Sequence, residues 1–384
     1  MHIDLPKTNG KLEKYRMTGA PIAATSIPPD AARVVYSAAH VVRDPFAEAT
    51  ASGLAAIDWD STMMFREHLI GLGLGIAEAM DTAQRGMGLD WPGALELIRQ
   101  TKTSFPDALV VNGCGTDHLN LSDKLSLADV RDAYLEQVEA LQQAGGRIIL
   151  MASRALARVA TGPEDYISVY TDVLAACDSP VILHWLGEMF DPQLAGYWGG
   201  QSFDETMLTA LHIIDTNQHK IDGIKISLLD ASKEIQMRRK LPATVRMYTG
   251  DDFNYPELIK GDEQGFSHAL LGIFDPLAHH AAAAVAALSK GDNEQFDSIL
   301  NSTVPLARHI FKAPTQHYKT GVVFLAWLNG YQKHFKMLAG SEAMRSLPYF
   351  VDCFKMADQC GALRDPNLAR ARMHQLLAVY GIIK

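Results

Sequence analysis

The sequence predicts a (β/α)8 barrel followed by a helical C-terminal extension. Eight short apolar segments recur along the chain, and a segment with helical periodicity follows most of them. Eight strand–helix units within roughly 250 residues match the size of such a barrel. No glycine-rich phosphate-binding turn follows the early apolar segments, which disfavours a nucleotide-binding open sheet.

The predicted strands lack strict alternation of apolar and polar residues, as expected where a parallel sheet is buried on both faces. Residues 126–145 show the clearest helical pattern between strands, with Ser126 as the N-cap and Gly145 at the end. The eight predicted strands are residues 33–39, 69–75, 107–113, 146–152, 180–186, 222–228, 245–251 and 265–271.

The pattern divides the chain into three regions. Residues 1–30 are polar and interrupted by prolines, and we interpret them as an N-terminal arm. Residues 31–294 are predicted to form the barrel. Helical spacing continues from Phe274 to the end, so residues 295–384 are predicted to form the C-terminal helical extension.

The composition is that of a globular protein, with 48% hydrophobic and 21% charged residues. The formal net charge of −9 disfavours a nucleic-acid partner. The four cysteines are far apart, so neither a zinc site nor a disulfide framework is predicted. Neither a secretory signal nor a membrane-spanning segment is recognised, and we expect a cytoplasmic protein without a membrane partner.

Candidate functional residues lie where the predicted strands end, because barrels of this type carry their active sites at the C-terminal ends of the strands. The side chains found there are suited to proton transfer and to substrate binding. They are Glu78, His184, Lys225, Asp251, Asp252 and His268.

Lys225 is the most informative of these residues. It lies in the segment IDGIKISLLD, within a strand predicted to be buried on both faces. Burial lowers the pKa of an ammonium group, and a neutral lysine attacks carbonyl carbon to form a Schiff base. The alternative is an ion pair between Lys225 and a carboxylate at a strand end. We expect Lys225 Nζ to point into the barrel mouth near His184.

The neighbouring strand ends offer groups that complement Lys225. His184 ends the fifth strand and is placed to move protons, although a hydrogen-bonded core histidine is the alternative. Gly250 permits close approach of the backbone to a ligand, and Asp251 or Asp252 is placed to meet a hydroxyl or ammonium group. The alternative is that residues 249–252 form a tight turn without a role in ligand binding.

Residues 180–312 resemble the dihydrodipicolinate synthase and N-acetylneuraminate lyase superfamily of class I aldolases. PVILHWLGE is similar to the family's PVILYNVPG, and GIKISLLD is similar to its lysine-bearing strand. The stretch beginning YTGDDFNYPELIKG follows the family's SGDD pattern and the helices after it. GLGIAEAM shows a weaker similarity to the family's GTTGE segment, and DALVVNGCGT to its third strand.

The resemblance implies an aldolase that needs neither a metal nor an organic cofactor and assembles as a homodimer or homotetramer. It places Lys225 on the Schiff-base lysine and Asp251 and Asp252 on an aspartate pair. It places a four-residue segment on the carboxylate-binding loop, namely Gly75, Ile76, Ala77 and Glu78.

The differences from the family indicate a divergent branch with a larger keto-acid or sugar-derived substrate. His184 replaces a catalytic tyrosine, and Ile76 and Ala77 replace two threonines. MASRAL, after the fourth strand, replaces an aromatic pair. The insertion at 81–91 brings Arg85, which we expect to bind an anionic substrate group.

The predicted function is therefore a Schiff-base lyase or aldolase acting on a small carbonyl compound. One alternative is a divalent-metal-dependent sugar isomerase or epimerase, with Glu78, His184, Asp251 and His268 as mixed nitrogen and oxygen ligands. The sequence has no HxH or HExxH spacing that would support this metal site. A further alternative is a non-catalytic descendant that binds a ligand in the same pocket.

Overall fold

The computed structural model contains a closed barrel of eight parallel strands and describes every residue except Ala49, Ser52 and Lys384. The barrel strands follow one another around the ring in chain order, and the last pairs with the first. A two-stranded antiparallel hairpin, β1 (His2–Pro6) and β2 (Leu12–Arg16), precedes them. The barrel strands are β3 (Val35–Ala38), β4 (Gly75–Glu78), β5 (Val110–Cys114), β6 (Arg147–Leu150), β7 (Val181–Leu186), β8 (Ile221–Ser227), β9 (Arg246–Thr249) and β10 (His268–Leu271).

Helices alternate with the barrel strands and then continue alone to the C-terminal region, which confirms the predicted fold class. Within the described residues, no helix is long and apolar enough to cross a membrane. The helices are α1 (Trp59–Gly71), α2 (Trp91–Ser104), α3 (Leu127–Gln143), α4 (Arg154–Val159), α5 (Pro163–Ala175), α6 (Phe203–Thr216), α7 (Ala231–Arg238), α8 (Tyr255–Lys260), α9 (Ala278–Ser289), α10 (Asn293–Ile310), α11 (Tyr318–Leu328), α12 (Leu347–Gln359) and α13 (Pro366–Val379).

The C-terminal helices pack onto the barrel through a shared apolar core. Phe274 after β10, Phe324 on α11 and Phe350 on α12 are all fully buried in one cluster. Burying a side chain of this size contributes about 1.5–3 kcal/mol. The helices after β10 are therefore attached to the barrel by the same interaction that holds the barrel helices in place.

The sequence signals for the helix before β6 act as predicted. Ser126 is the N-cap of α3: its hydroxyl accepts from the backbone N–H of Asp129 at 3.3 Å, and the Asp129 carboxylate accepts from the backbone N–H of Ser126 at 2.7 Å. This reciprocal pair satisfies two of the amide groups that a helix start leaves without partners.

The prediction for the second barrel strand was wrong. Residues 69–71 belong to the last turn of α1, and the strand β4 begins only at Gly75. The segment LIGLGLG is apolar enough for either structure, so its pattern alone could not separate a buried helix end from a strand. As a consequence, Gly75 to Glu78 form the strand itself and not a loop beyond its end.

The eighth strand begins later than predicted, and this changes the position of His268. His268 is the first residue of β10, so it lies at the N-terminal end of the barrel. Its Nδ1 accepts a hydrogen bond from the backbone N–H of Val34 at 2.9 Å. The assignment of His268 to the substrate site was therefore wrong, because that site was predicted for the opposite end of the barrel.

Glu78 joins the barrel to its first two helices. Its carboxylate accepts two hydrogen bonds from Arg66 on α1, at 2.8 and 3.0 Å, and one from the Thr101 hydroxyl on α2 at 2.7 Å. The side chains of Arg66 and Glu78 are fully buried. Glu78 therefore points outward between strand and helices, and its assignment to a substrate-binding loop was wrong.

We expect Glu78→Gln to destabilise the protein by roughly 3–5 kcal/mol, because it leaves the buried guanidinium of Arg66 without a counter-charge. Denaturant unfolding followed by circular dichroism measures this loss. Glu67→Gln, next to Arg66 on α1, is the control, since Glu67 is exposed and the variant should stay within about 0.5 kcal/mol of the parent. Equal stability of the two variants would contradict a structural role for the Glu78 carboxylate.

Candidate active site

Lys225 lies inside the barrel because alternate residues of β8 face the lumen. A Cβ at Gly223 would meet the ring of Tyr248, a residue of the lumen core, at 2.7 Å. Lys225 and Ser227 share the direction of Gly223 because side chains alternate along a strand. In register, Lys225 is paired with His184 on β7. The two candidate catalytic residues are therefore direct neighbours on adjacent strands.

The ammonium group of Lys225 has neither an ion-pair partner nor a hydrogen-bond partner among the described residues. The residue is only 7% exposed, and no carboxylate oxygen of the described residues lies within 4.0 Å of its Nζ. No hydrogen-bond acceptor for Nζ is found in the described part of the chain either. Its side chain lines a cavity at the C-terminal end of the strands, together with Asp81, Thr82, Leu186, Phe190, Ser227, Asp252 and Tyr318.

Burial lowers the pKa of the Lys225 ammonium, and two carboxylates oppose this effect, Asp81 first and Asp252 second. Asp252 accepts a hydrogen bond from the backbone N–H of Ile273 at 2.8 Å. Burial raises the pKa of Asp252. The proton affinities of the amine and of the Asp252 carboxylate are thus brought closer together, which favours proton exchange between them.

Gly250 provides the space that the Lys225 side chain occupies. A Cβ at this position would lie 2.7 Å from Lys225 Cε and 2.2 Å from Ser227 Oγ. The backbone N–H of Gly250 donates to the carbonyl of Ile226 at 2.8 Å, which holds the strands β8 and β9 together at this point. Gly250 therefore admits a neighbouring side chain, whereas the sequence suggested an approach to a ligand.

The adjacent aspartates have different surroundings. The Asp251 carboxylate accepts from the backbone N–H groups of Phe253 and Asn254, at 2.8 and 2.9 Å, and from the Asn254 side chain at 2.8 Å. It closes the turn after β9 and does not line the Lys225 cavity. Asp252, one residue later, does line that cavity. Of the two aspartates, only Asp252 lines the cavity that contains Lys225.

His184 is buried and reaches the Lys225 cavity through a serine. Its Nε2 lies 3.2 Å from Ser227 Oγ, and its Nδ1 is buried without a hydrogen-bond partner among the described residues. Burial, and then the charge of Lys225, hold the pKa of the imidazole well below its usual value. The ring is therefore neutral near pH 7, and Ser227 is the group that connects it to the cavity.

Arg85 does not offer a free donor to a ligand. Its Nε and one Nη2 hydrogen form a two-point ion pair with Asp117, with both distances at 2.7 Å. The remaining donors bond to the Gln137 side chain and to the carbonyl groups of Ala79 and Gly113. All five N–H groups of the guanidinium are thereby used. The expectation that Arg85 binds an anionic substrate group does not agree with this arrangement.

The segment Gly75 to Glu78 does not form an exposed loop. Ile76 and Ala77 have 0% exposure, and Ala77 belongs to the lumen core below the lysine cavity. The chain leaves β4 through Ala79, whose φ of 53° turns it toward Asp81 and Thr82. These two residues, and not the predicted four, line the Lys225 cavity at this strand end.

Several site residues were missed in the sequence. Asp81 opens the insertion at 81–91, in which the sequence predicts a role only for Arg85. Tyr318 lies at the start of α11, in a region without a predicted role, and its hydroxyl is 2.8 Å from Thr82 Oγ1. No local sequence signal indicates that Tyr318 reaches the barrel mouth, since this contact joins residues 236 positions apart.

The donor set proposed for a metal-dependent isomerase is not assembled. The structure places Glu78 between strand and helices, His268 at the opposite barrel end and Asp251 in a turn. Nowhere in the described part of the chain do three or more His, Cys, Asp or Glu side chains form a group that could hold a metal ion.

Comparison with family profiles places this chain in a group without an assigned activity. A profile described as "Protein of unknown function (DUF993)" matches residues 3–382. The chain belongs to the DUF993 family. A comparison with functionally curated proteins gives no match.

The solved structures similar to this DUF993 protein include several dihydrodipicolinate synthases. The enzyme from Oceanobacillus iheyensis shares 18% identity at a TM-score of 0.58, covering 91% of this chain and 97% of its own. The dihydrodipicolinate synthase from Aquifex aeolicus shares 12% identity at a TM-score of 0.62, and the match covers 91% of this chain and 98% of that enzyme. The 4-hydroxy-tetrahydrodipicolinate synthase from Methylacidiphilum fumariolicum SolV shares 16% identity at a TM-score of 0.64. The match covers 92% of this chain and 99% of that enzyme.

These structural likenesses show the fold. At the level of the fold they agree with the family resemblance predicted from the sequence. The roles of individual residues must be argued from the geometry of this chain.

We expect Gly250→Ala to destabilise the protein by about 1–3 kcal/mol, because the added methyl group overlaps Ser227 and Lys225. Urea unfolding measures the change. Gly71→Ala at the end of α1 is the control, since nothing lies within 4 Å of a Cβ there. If Gly250→Ala were no less stable than the control, the lysine stem could not be confined as described.

Proposed function

We propose that this protein is a class I aldolase or lyase that forms a Schiff base between Lys225 and the carbonyl of a keto-acid or sugar-derived substrate. The observation that carries the proposal is the burial of Lys225 beside a cavity, without an ion-pair partner among the described residues. A structural lysine at such depth would be paired, because a buried unpaired ammonium is costly.

The first proposed step is attack by the neutral amine on the substrate carbonyl, with loss of water to give an iminium ion. Burial favours the neutral amine, and Asp252, which lines the same cavity, is proposed to accept its proton. The iminium then accepts the electrons of the bond between the α- and β-carbons as the β-hydroxyl loses its proton, which releases the β-carbon as a carbonyl product and leaves an enamine. Protonation of the enamine carbon and hydrolysis return the free lysine.

The hydroxyl groups of Ser227 and Tyr318 are proposed to move protons at the substrate. Ser227 Oγ lines the Lys225 cavity and connects it to His184. Tyr318 and Thr82 form a second hydrogen-bonded pair at the same cavity. Burial raises the pKa of Tyr318 well above its usual value, so its phenol stays protonated and can donate to a developing alkoxide. His184 is proposed to act through its hydrogen bond with Ser227.

Borohydride reduction in the presence of candidate carbonyl compounds tests the proposal. We expect a panel of keto acids and ketoses to contain at least one compound that becomes linked to Lys225, as shown by peptide mass spectrometry of the folded protein. Lys319 is the internal control, because it is a second buried lysine close to the barrel mouth. Modification of Lys319 alone, or of neither lysine by any compound, would refute the Schiff-base proposal.

The same assay separates proton transfer from iminium formation. For a compound that trapping identifies, exchange of its α-hydrogens with D2O in the absence of borohydride is measured by NMR and reports enamine formation. We expect His184→Asn and Ser227→Ala each to slow the exchange while leaving trapping in place. Because both act through one hydrogen bond, the double variant should be no slower than the slower single variant.

We expect Asp81→Asn to move the pH midpoint of reductive trapping downward by roughly one unit. The Asp81 carboxylate favours the ammonium form of Lys225, so its removal lowers the pKa of Lys225 further and enlarges the neutral fraction at a given pH. Cyanoborohydride trapping across a pH series measures the midpoint.

Asp107→Asn provides the matched control for this experiment, because Asp107 is exposed and lies before β5, away from the barrel mouth. It should leave the midpoint unchanged. An upward shift in Asp81→Asn, or an equal shift in both variants, would contradict the electrostatic assignment.

A further inference from the structure

A wider cleft adjoins the Lys225 cavity at the barrel mouth. Asp81 and Leu186 line both spaces, so the cleft opens directly above the lysine. Its outer wall includes Arg154 at the start of α4 and Lys319 at the start of α11. The scheme proposed above uses neither of these basic residues.

Lys319 is a buried lysine on the wall of this cleft. It is 5% exposed, and its Nζ donates to the Gln316 carbonyl at 3.1 Å. No carboxylate oxygen within the described ranges lies within 4.0 Å of it. Burial lowers the pKa of Lys319 to about 8; Asp81 and Asp191, which also line the cleft, oppose this effect, and the charge of Arg154 adds to it. An anion in the cleft would supply the missing charge.

Arg154 presents an open guanidinium edge to the same cleft. Its Nε donates to Asp191, while neither terminal nitrogen has an acceptor in the described part of the chain. This differs from Arg85 nearby, whose five N–H groups are all used by protein acceptors. A guanidinium with two free nitrogens suits two-point binding of a carboxylate or phosphate.

We propose that Arg154 and Lys319 together bind an anionic group, a carboxylate or a phosphate, at the end of the substrate remote from its carbonyl. The link to a carbonyl substrate rests on the function proposed for Lys225, whereas the anion site itself does not. The substrate class would then be an acidic keto compound long enough to reach from the Lys225 cavity into the wider cleft.

Binding of simple anions to the full chain tests the site directly. Inorganic phosphate and succinate serve as probes, with isothermal titration calorimetry as the measurement. We expect saturable binding of at least one probe, weakened about tenfold or more in Arg154→Gln and in Lys319→Met. The tighter probe identifies the acid group. Lys225→Met should bind as the parent does, because the anion site lies outside the lysine cavity.

Matched variants control for effects of net charge and of misfolding on anion binding. Arg158→Gln, on the same helix as Arg154, and Lys333→Met remove exposed cations that do not line the cleft, and both should bind like the parent. Lys319→Arg keeps the charge and should retain binding, which separates charge loss from misfolding. No saturable binding by the parent, or equal binding in Arg154→Gln, Lys319→Met and the controls, would overturn the proposal, as would loss in Lys225→Met alone.

Borohydride trapping connects the anion site to the lysine. We expect 2-oxoglutarate, with a second carboxylate, to be linked to Lys225 at lower concentration than pyruvate, and Arg154→Gln to remove this advantage. If no carbonyl compound modifies Lys225, the proposed aldolase function fails while calorimetry still decides the anion site. If both keto acids are trapped equally well by the parent, the anion does not bind where we propose.

Discussion

Closure of eight parallel strands into a ring directs alternate residues of every strand into one narrow interior. The positions of the candidate site residues depend on this constraint. On β8 it turns Lys225 inward beside His184 of β7, and on β4 it turns Glu78 outward to Arg66. A shift of one residue would exchange these directions, so strand register determines which side chains can take part in chemistry.

The interior position of Lys225 opposes stability. Burial disfavours the ammonium form, and its folded-state pKa is lowered, so the unfolded chain binds the proton more tightly. Stability therefore increases with pH between the lowered pKa of the folded state and the ordinary lysine pKa of the unfolded chain, because in this range the unfolded chain binds more protons. The large apolar cores on both sides of the strands offset this cost. A site that binds a carbonyl group through a neutral amine requires such an unfavourable environment for the charged form.

The C-terminal region completes the barrel mouth. α11 packs against the barrel through apolar residues such as Val322 and Phe324, and this packing carries Tyr318 and Lys319 to the edge of the cavity. Tyr318 is 4% exposed and closes one side of the Lys225 cavity. A cover of this kind limits the access of water to the lysine, which strengthens the electrostatic interactions within the cavity.

Sequence alone determined the number and order of the barrel strands, the helical C-terminal region and the position of Lys225 within a buried strand. Apolar segments, helix caps and a lysine within a buried strand are local features, so they can be recognised in the sequence without knowledge of the tertiary structure. Local pattern did not separate the end of α1 from the start of β4, because LIGLGLG suits both structures. Only the tertiary structure decided that Asp252 faces Lys225 while Asp251 does not, and that Tyr318 and Arg154 reach the barrel mouth. These outcomes follow from strand register and from packing between distant segments, which no short stretch of sequence contains.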